Sequence, residues 1–358
     1  MSELKGIEKY KKELIKNARY LVQKGKGILA ADETIEIMKN RFAPVKIENT
    51  EENRKEYREL LFTAPDLEQY ISGIILDNET VYQKTKEGKN FIEILTSKGI
   101  LPGINVDKGL ITIINSENET FTQGLDNLGN RCTKYYEEGC KFTKWRAVFK
   151  IGKNTPSLKA IKENSSRLAR FAIISQENGL VPIVEPEVSC EGDHNIDECA
   201  EKSEKVFHEV FNTLFDYGVL FEGMLLKPNM VIPGLYSKNK VKPEEIAWKS
   251  VRTLSRTVPA AVPGIVFLSG GQTEFESTVN LNSMNLLKDI SIPWNLSFSF
   301  GRALQYSCLR VWVGKKENIK EAQNTLIQMA KNNSEATKGM FKSNENNNEE
   351  ECIESHVY

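Results

Sequence analysis

Short apolar runs recur along the chain, each closed by Gly, Pro or a polar residue. They read GILAAD ending at Asp32, ISGIILD ending at Asp77 and ILPGINVD ending at Asp107. FTKWRAVF around Lys144, LVPIVEPE ending at Glu187 and GMLLKPN containing Lys227 follow. GIVFLSGG ending at Gly271 and WNLSFSFGR ending at Arg302 complete the series. Runs that stay apolar instead of alternating predict strands covered on both faces. Between most of them lies enough chain for one or two helices, for example over 167–178, 197–216 and 244–258. Eight buried strands separated by helices predict one (β/α)8 (TIM) barrel. The spacing is wider than a ~250-residue barrel requires, so extra helices are expected at the N-terminus and after the first strand. A doubly wound open sheet is the rival, weakened because no G-x-G-x-x-G follows the first run.

At the N-terminus, Ile7, Tyr10, Leu14, Ile15, Ala18, Leu21 and Val22 recur at helical spacing and predict an amphipathic helix. No uninterrupted apolar core is present for a signal peptide, and Glu3, Glu8 and Glu13 count against a mitochondrial presequence. From about Lys342 the chain is rich in Asn and Glu and lacks the apolar residues of a core. The expected organisation is one barrel domain over 1–341 and a flexible tail over 342–358 reaching the active site.

Composition narrows the function. Lys+Arg number 48 against Asp+Glu 49, a formal net charge of −1 with no long basic run, so a nucleic-acid footprint is not expected. No stretch approaches the ~20 apolar residues of a membrane helix. The six cysteines form no C-x-x-C pair and are expected as reduced thiols. Only His194, His208 and His356 are present, with no metal-ligand spacing, so neither a metal site nor a cofactor is expected.

Strand parity points to the chemistry. Side chains two apart share a face, so Lys144 points with Arg146, and Glu185 with Glu187. Charged pairs on buried strands are costly unless they are matched, and salt bridges inside the barrel rim are their simplest reading. Lys227 follows Met224, Leu225 and Leu226 and precedes Pro228. A lysine amine desolvated by such a wall attacks a carbonyl to give a Schiff base, an electron sink for breaking an adjacent C–C bond. Glu185 or Glu187 could donate the proton for carbinolamine dehydration, and Lys144 could stabilise developing charge. Ser269-Gly270-Gly271 and Ser299-Phe300-Gly301-Arg302 follow strands seven and eight, where these barrels place a phosphate site. Glycine lets backbone N–H groups approach an oxyanion, and arginine supplies a planar fork.

The sequence resembles the class I (Schiff-base) fructose-1,6-bisphosphate aldolases along almost its full length. GKGILAADE, ENTEENR, TQGLDNL, KWR, VPIVEPE, EGMLLKPNMV, FLSGGQ, FSFGRAL, GKKEN and the terminal Tyr358 carry the resemblance, and EGMLLKPN is the specific lysine signature. The resemblance implies Lys227 as the Schiff-base lysine and Glu185 as the acid/base for dehydration. Glu187, Lys144 and Arg146 would support them electrostatically, and Asp32 would take the C4 hydroxyl proton. Ser269, Gly270, Gly301 and Arg302 would hold the C1 phosphate, with Arg41, Arg54, Ser299 and Thr34 lining the cleft. Tyr358 would assist proton exchange on the enamine. The family is usually a cytosolic homotetramer of glycolysis and gluconeogenesis, and some members also bind actin or acidic adhesin tails. The metal-dependent aldolase class is disfavoured, because three scattered histidines do not make its ligand set.

One region departs from the pattern. Thr34-Ile35-Glu36-Ile37-Met38-Lys39-Asn40-Arg41 replaces a run of small residues, with Ile37 where a serine is usual and Asn40 where a lysine is usual. Asn105 replaces another lysine. By the resemblance these positions lie on the distal (C6) phosphate side. Each lost charge-assisted hydrogen bond is worth ~1.5–3 kcal/mol, so preference for a substrate with a weaker distal anion, such as fructose 1-phosphate, is a second expectation. Lys39, Lys108 and Arg41 are the candidates for compensation.

Overall fold

The structure is a computed structural model that describes residues 5–116 and 118–342. Eight parallel strands close into a barrel in chain order: β1 (Gly27–Ala31), β2 (Ile71–Leu76), β3 (Leu101–Asn105), β4 (Phe142–Phe149), β5 (Val181–Val188), β6 (Leu225–Leu226), β7 (Gly264–Phe267) and β8 (Asn295–Phe300). β8 pairs back to β1, with Ile28 beside Ser299. These are the eight apolar runs. Nearly every strand residue is buried because helices cover the outside and side chains fill the inside.

The strands divide their side chains by parity into two apolar clusters. Ile28, Ala30, Ile75, Phe142, Ile183, Leu225 and Val266 face the barrel interior. Leu29, Ala31, Ile74, Leu76, Val184, Leu226 and Phe267 face the helices. Helix α1 (Lys5–Leu21) contributes Ile7, Leu14, Ala18 and Leu21 to the interior cluster, so its amphipathic face packs onto the barrel's N-terminal end. Extra helices also follow β1, at Ile35–Phe42 and Glu51–Thr63. The predicted helices over 167–178, 197–216 and 244–258 are Leu158–Glu177, Ile196–Asp216 and Pro243–Thr257. Ser157 and Asn195 cap the first two, each accepting backbone N–H groups with its side chain.

A small antiparallel hairpin, Leu110–Thr112 with Thr120–Thr122, lies between β3 and β4 and was not anticipated. Five cysteines, Cys132, Cys140, Cys190, Cys199 and Cys308, are buried free thiols, and burial pushes that of Cys140 up to about 12. No described helix is long and apolar enough to cross a membrane. Tyr358 and the rest of 343–358 lie outside the described residues.

The interior is tightly filled around Phe142. A Cβ on Gly103 would lie 2.2 Å from the Phe142 ring, and one on Gly73 would lie 3.0 Å from it. Gly103→Ala should therefore destabilise the fold by about 1–3 kcal/mol through overpacking, read by denaturant unfolding. An unchanged midpoint would show that the barrel interior has slack.

Candidate active site

The C-terminal ends of the strands bring charged side chains together where the barrel opens. Lys144 lies on β4 and Glu185 on β5, while Asp32 and Lys227 follow the last residues of β1 and β6. Parity sends all four inward, two positions beyond the interior residues Ala30, Phe142, Ile183 and Leu225. The Lys144 Nζ stands 2.8 Å from Asp32 Oδ2 and 3.2 Å from Glu185 Oε2. The other Glu185 oxygen, Oε1, is 3.3 Å from Lys227 Nζ. Asp32, Lys144, Glu185 and Lys227 thus form one unbroken chain of alternating charge. Lys144, Glu185 and Lys227 are buried and Asp32 is partly exposed, so the chain is open to the cleft at Asp32. Beside it, Arg146 Nε donates to Glu187 Oε2 at 2.6 Å, a matched pair in the rim.

Burial alone would lift the Asp32 carboxyl, but Lys144 and Lys227 outweigh it and hold it below the usual aspartate value. Burial would lower Lys144, but Asp32, Glu185 and Asp107 outweigh it and hold its ammonium above the usual lysine value. Asp107, two residues past β3, has its carboxyl raised by burial, which exceeds the opposing pull of Lys144. It accepts the Arg146 N–H at 3.2 Å and the Gly109 N–H at 3.1 Å.

The loops after β7 and β8 form the second part of the site. Ser269 is buried, and Gly270 and Gly271 have φ of 31° and 77°, a left-handed turn that side chains resist. Gly301 caps the helix Arg302–Trp312, whose N-terminal N–H groups favour an anion. The Arg302 guanidinium donates to the Gln272 carbonyl and so ties the two loops together. Ser299, inward on β8, is buried, and its Oγ has no hydrogen-bond partner among the described residues. A Cβ on Gly301 would lie 3.1 Å from the Ala30 carbonyl and 3.6 Å from Arg41 Nη2, so Arg41 reaches this same corner.

Two predicted cleft residues lie outside the charge chain. Arg54 is clamped by Glu79, at 2.9 and 2.6 Å, and by Asn49. Thr34 caps the helix Ile35–Phe42 by accepting the Ile37 N–H at 3.3 Å. Glu36, Lys39, Asn40 and Lys108 are exposed, and Ile37 is half-buried.

Sequence reasoning passed over Glu33. It is buried, it pairs with Arg41 and with Arg58 at 2.6 Å, and it accepts from Gln305 at 3.0 Å. Burial lifts its carboxyl, but Arg41 and Arg58 outweigh that and lower it. Its adjacency to Asp32 was the available signal. Asp77 and Asp107 were visible only as polar ends of apolar runs. Among the described residues no group of three or more His, Cys, Asp or Glu is placed to hold a metal ion.

A parallel barrel with a buried lysine paired to a carboxylate at the strand ends, beside two glycine-bearing loops and a helix N-terminus, is the arrangement that lysine-dependent chemistry on phosphorylated carbonyl compounds requires. Comparison with known proteins narrows this. A family model described as "Glycolytic: Fructose-bisphosphate aldolase class-I" matches residues 13–358. The chain is 57% identical over 330 residues to fructose-bisphosphate aldolase 4, cytosolic, of Arabidopsis thaliana, covering 92% of this chain and 84% of that one. It is 57% identical over 337 residues to the cytoplasmic isozyme of Cicer arietinum, covering 94% and 93%. A solved structure of fructose-bisphosphate aldolase from Plasmodium falciparum, in complex with TRAP and a small-molecule inhibitor, superposes with a TM-score of 0.92 at 50% identity, covering 94% of this chain and 97% of that one. The chain belongs to the class-I fructose-bisphosphate aldolase family, and it is a carbon–carbon lyase of the aldehyde-lyase type.

The depressed Asp32 carboxyl stabilises the fold above the ordinary aspartate range, and that contribution is lost as pH falls through its folded value. In Lys144→Met the Asp32 carboxyl should titrate higher, because the cation that most strongly opposes the effect of its burial is gone. Carbon-13 NMR titration reads this directly, and an unmoved Asp32 would contradict the shared-cation description.

Proposed function

We propose that the chain cleaves fructose 1,6-bisphosphate reversibly to dihydroxyacetone phosphate and glyceraldehyde 3-phosphate, with Lys227 as nucleophile. The carrying observation is the unbroken charge chain from Asp32 through Lys144 and Glu185 to Lys227. The Lys227 amine adds to the C2 carbonyl. Glu185, at 3.3 Å, takes the ammonium proton that frees this amine and returns it to the carbinolamine hydroxyl, which leaves as water and yields the iminium ion. Asp32, partly exposed and held as a carboxylate beside Lys144, accepts the C4 hydroxyl proton. The C3–C4 electron pair moves into the iminium as the bond breaks, and glyceraldehyde 3-phosphate departs, leaving an enamine. Protonation at C3 and addition of water then release dihydroxyacetone phosphate and free Lys227. Lys144 stays charged between two carboxylates, so Asp32 and Glu185 can exchange protons without losing their common cation. Glu187 and Arg146 hold the neighbouring wall.

Ser269, Gly270, Gly301, Arg302 and Ser299 are assigned to the C1 phosphate, supported by the left-handed turn, the helix N-terminus and the unpartnered Ser299 hydroxyl. Arg41, Arg54 and Thr34 are assigned to the surrounding cleft, and Tyr358 to enamine protonation, by resemblance. Residues 1–341 would act as one barrel unit with 342–358 as its tail. A cytoplasmic homotetramer is proposed from the family, with exposed Leu110, Ile111 and Ile114 available as apolar contact surface. A subordinate role as a dock for an acidic tail is proposed from the solved neighbour in complex with TRAP. The dock is taken to be the active-site rim, and a pull-down with an acidic tail peptide that the bisphosphate fails to displace would argue against binding there.

Lys227→Met should lower kcat for bisphosphate cleavage by more than about a thousandfold, and wild-type turnover should persist in EDTA. A Lys227→Met enzyme that retains wild-type turnover would end this assignment.

A further inference from the structure

The order of residues around the barrel mouth sets which way a linear substrate lies. On the reading above, which this inference deepens, the C1 phosphate sits at the β7 and β8 loops and C2 meets Lys227 beyond β6. The far carbons then run across the mouth toward β1, β2 and β3, where Asp32 waits.

Strand register shows what stands there. Ala31 pairs with Leu76, Leu76 with Ile104, and Asn105 with Lys144. Asp32, Asp77, Asn105 and Lys144 therefore occupy one layer across four adjacent strands. Asp77 lies two positions beyond the interior residue Ile75, on the same inward parity as Asp32. Its carboxylate caps the helix Asn78–Val81, accepting the Glu79 N–H at 3.1 Å, and it makes no ion pair among the described residues. Asp107 makes none either, and Asn105 brings no charge. Of the cations on this side, Arg54 is committed to Glu79, Arg41 and Arg58 to Glu33, and Lys144 to Asp32 and Glu185, while Lys39 and Lys108 are exposed to solvent.

We propose that Asp77 is a specificity-determining residue: its carboxylate weakens the hold of the far end of the cleft on a second phosphate, so the bisphosphate gains less over ketose 1-phosphates ending in an uncharged hydroxymethyl group than it would without that charge. No feature of the family match assigns it that role. The charge acts on binding of the substrate's far end and leaves the bond-breaking groups alone.

Asp77→Asn and Asp77→Ser remove the charge and keep a capping acceptor, so the Asn78–Val81 turn retains its hydrogen bond. Dissociation constants for fructose 1,6-bisphosphate and fructose 1-phosphate, measured by calorimetry in the Lys227→Met background, isolate this effect from turnover. Each Asp77 variant should tighten bisphosphate binding about tenfold, or ~1.4 kcal/mol, and change monophosphate binding by less than about twofold. Equal shifts for the two ligands, or no shift for either, would overturn the proposal. Absence of cleavage by the wild-type enzyme would instead defeat the catalytic reading, so the two failures are distinguishable.

Discussion

The site depends on one buried cation held between two carboxylates. Lys144 reaches Asp32 at 2.8 Å and Glu185 at 3.2 Å, and without it two anions would face each other in a poorly solvated barrel mouth. Desolvating any of these groups singly is costly, and breaking one buried pair typically costs 3–5 kcal/mol. The arrangement survives because each of these carboxylates and ammonium groups has a charged partner. Every member is also attached to a strand or to the residue just past one. On the proposed assignment, this anchoring positions the acid, the base and the nucleophile before substrate arrives.

The barrel supplies the rigidity from below. Helix α1 and Phe142 fill the N-terminal half of the interior, with Gly73 and Gly103 yielding the space the ring needs. The apolar residues stop one layer short of the mouth, and the next inward layer is the charged one. A single change of parity on any strand would exchange these charges for helix-facing apolar residues. Fold and chemistry are therefore coupled through strand register more than through any individual contact.

Much of this was legible in the sequence because strands buried on both faces write themselves as apolar runs. FTKWRAVF coincides with β4 in full, and its parity already aligned Lys144 with Arg146. Lys227 stood out because a charge directly follows an apolar stretch. The hairpin at Leu110–Thr112 and Thr120–Thr122 was not legible, since its strands have three residues each and Leu110–Thr112 is exposed on both faces. The Glu33 network was hidden for a different reason: its partners Arg58 and Gln305 are far away in the chain and meet it only after folding. Asp77 and Asp107 were visible as strand ends, but which neighbours they face depends on register, which a single sequence does not encode locally. The roles of Arg54 and Thr34 came from resemblance alone, and their observed partners are a clamp and a helix cap.

The central claim is that Lys227, and not its equally buried neighbour Lys144, bonds to the substrate carbon. Borohydride reduction in the presence of dihydroxyacetone phosphate, followed by peptide mass mapping, tests it directly. The account predicts one added ketose-phosphate mass, confined to the peptide carrying Lys227. Label on the Lys144 peptide, or no label in an enzyme that is turning over, would contradict it.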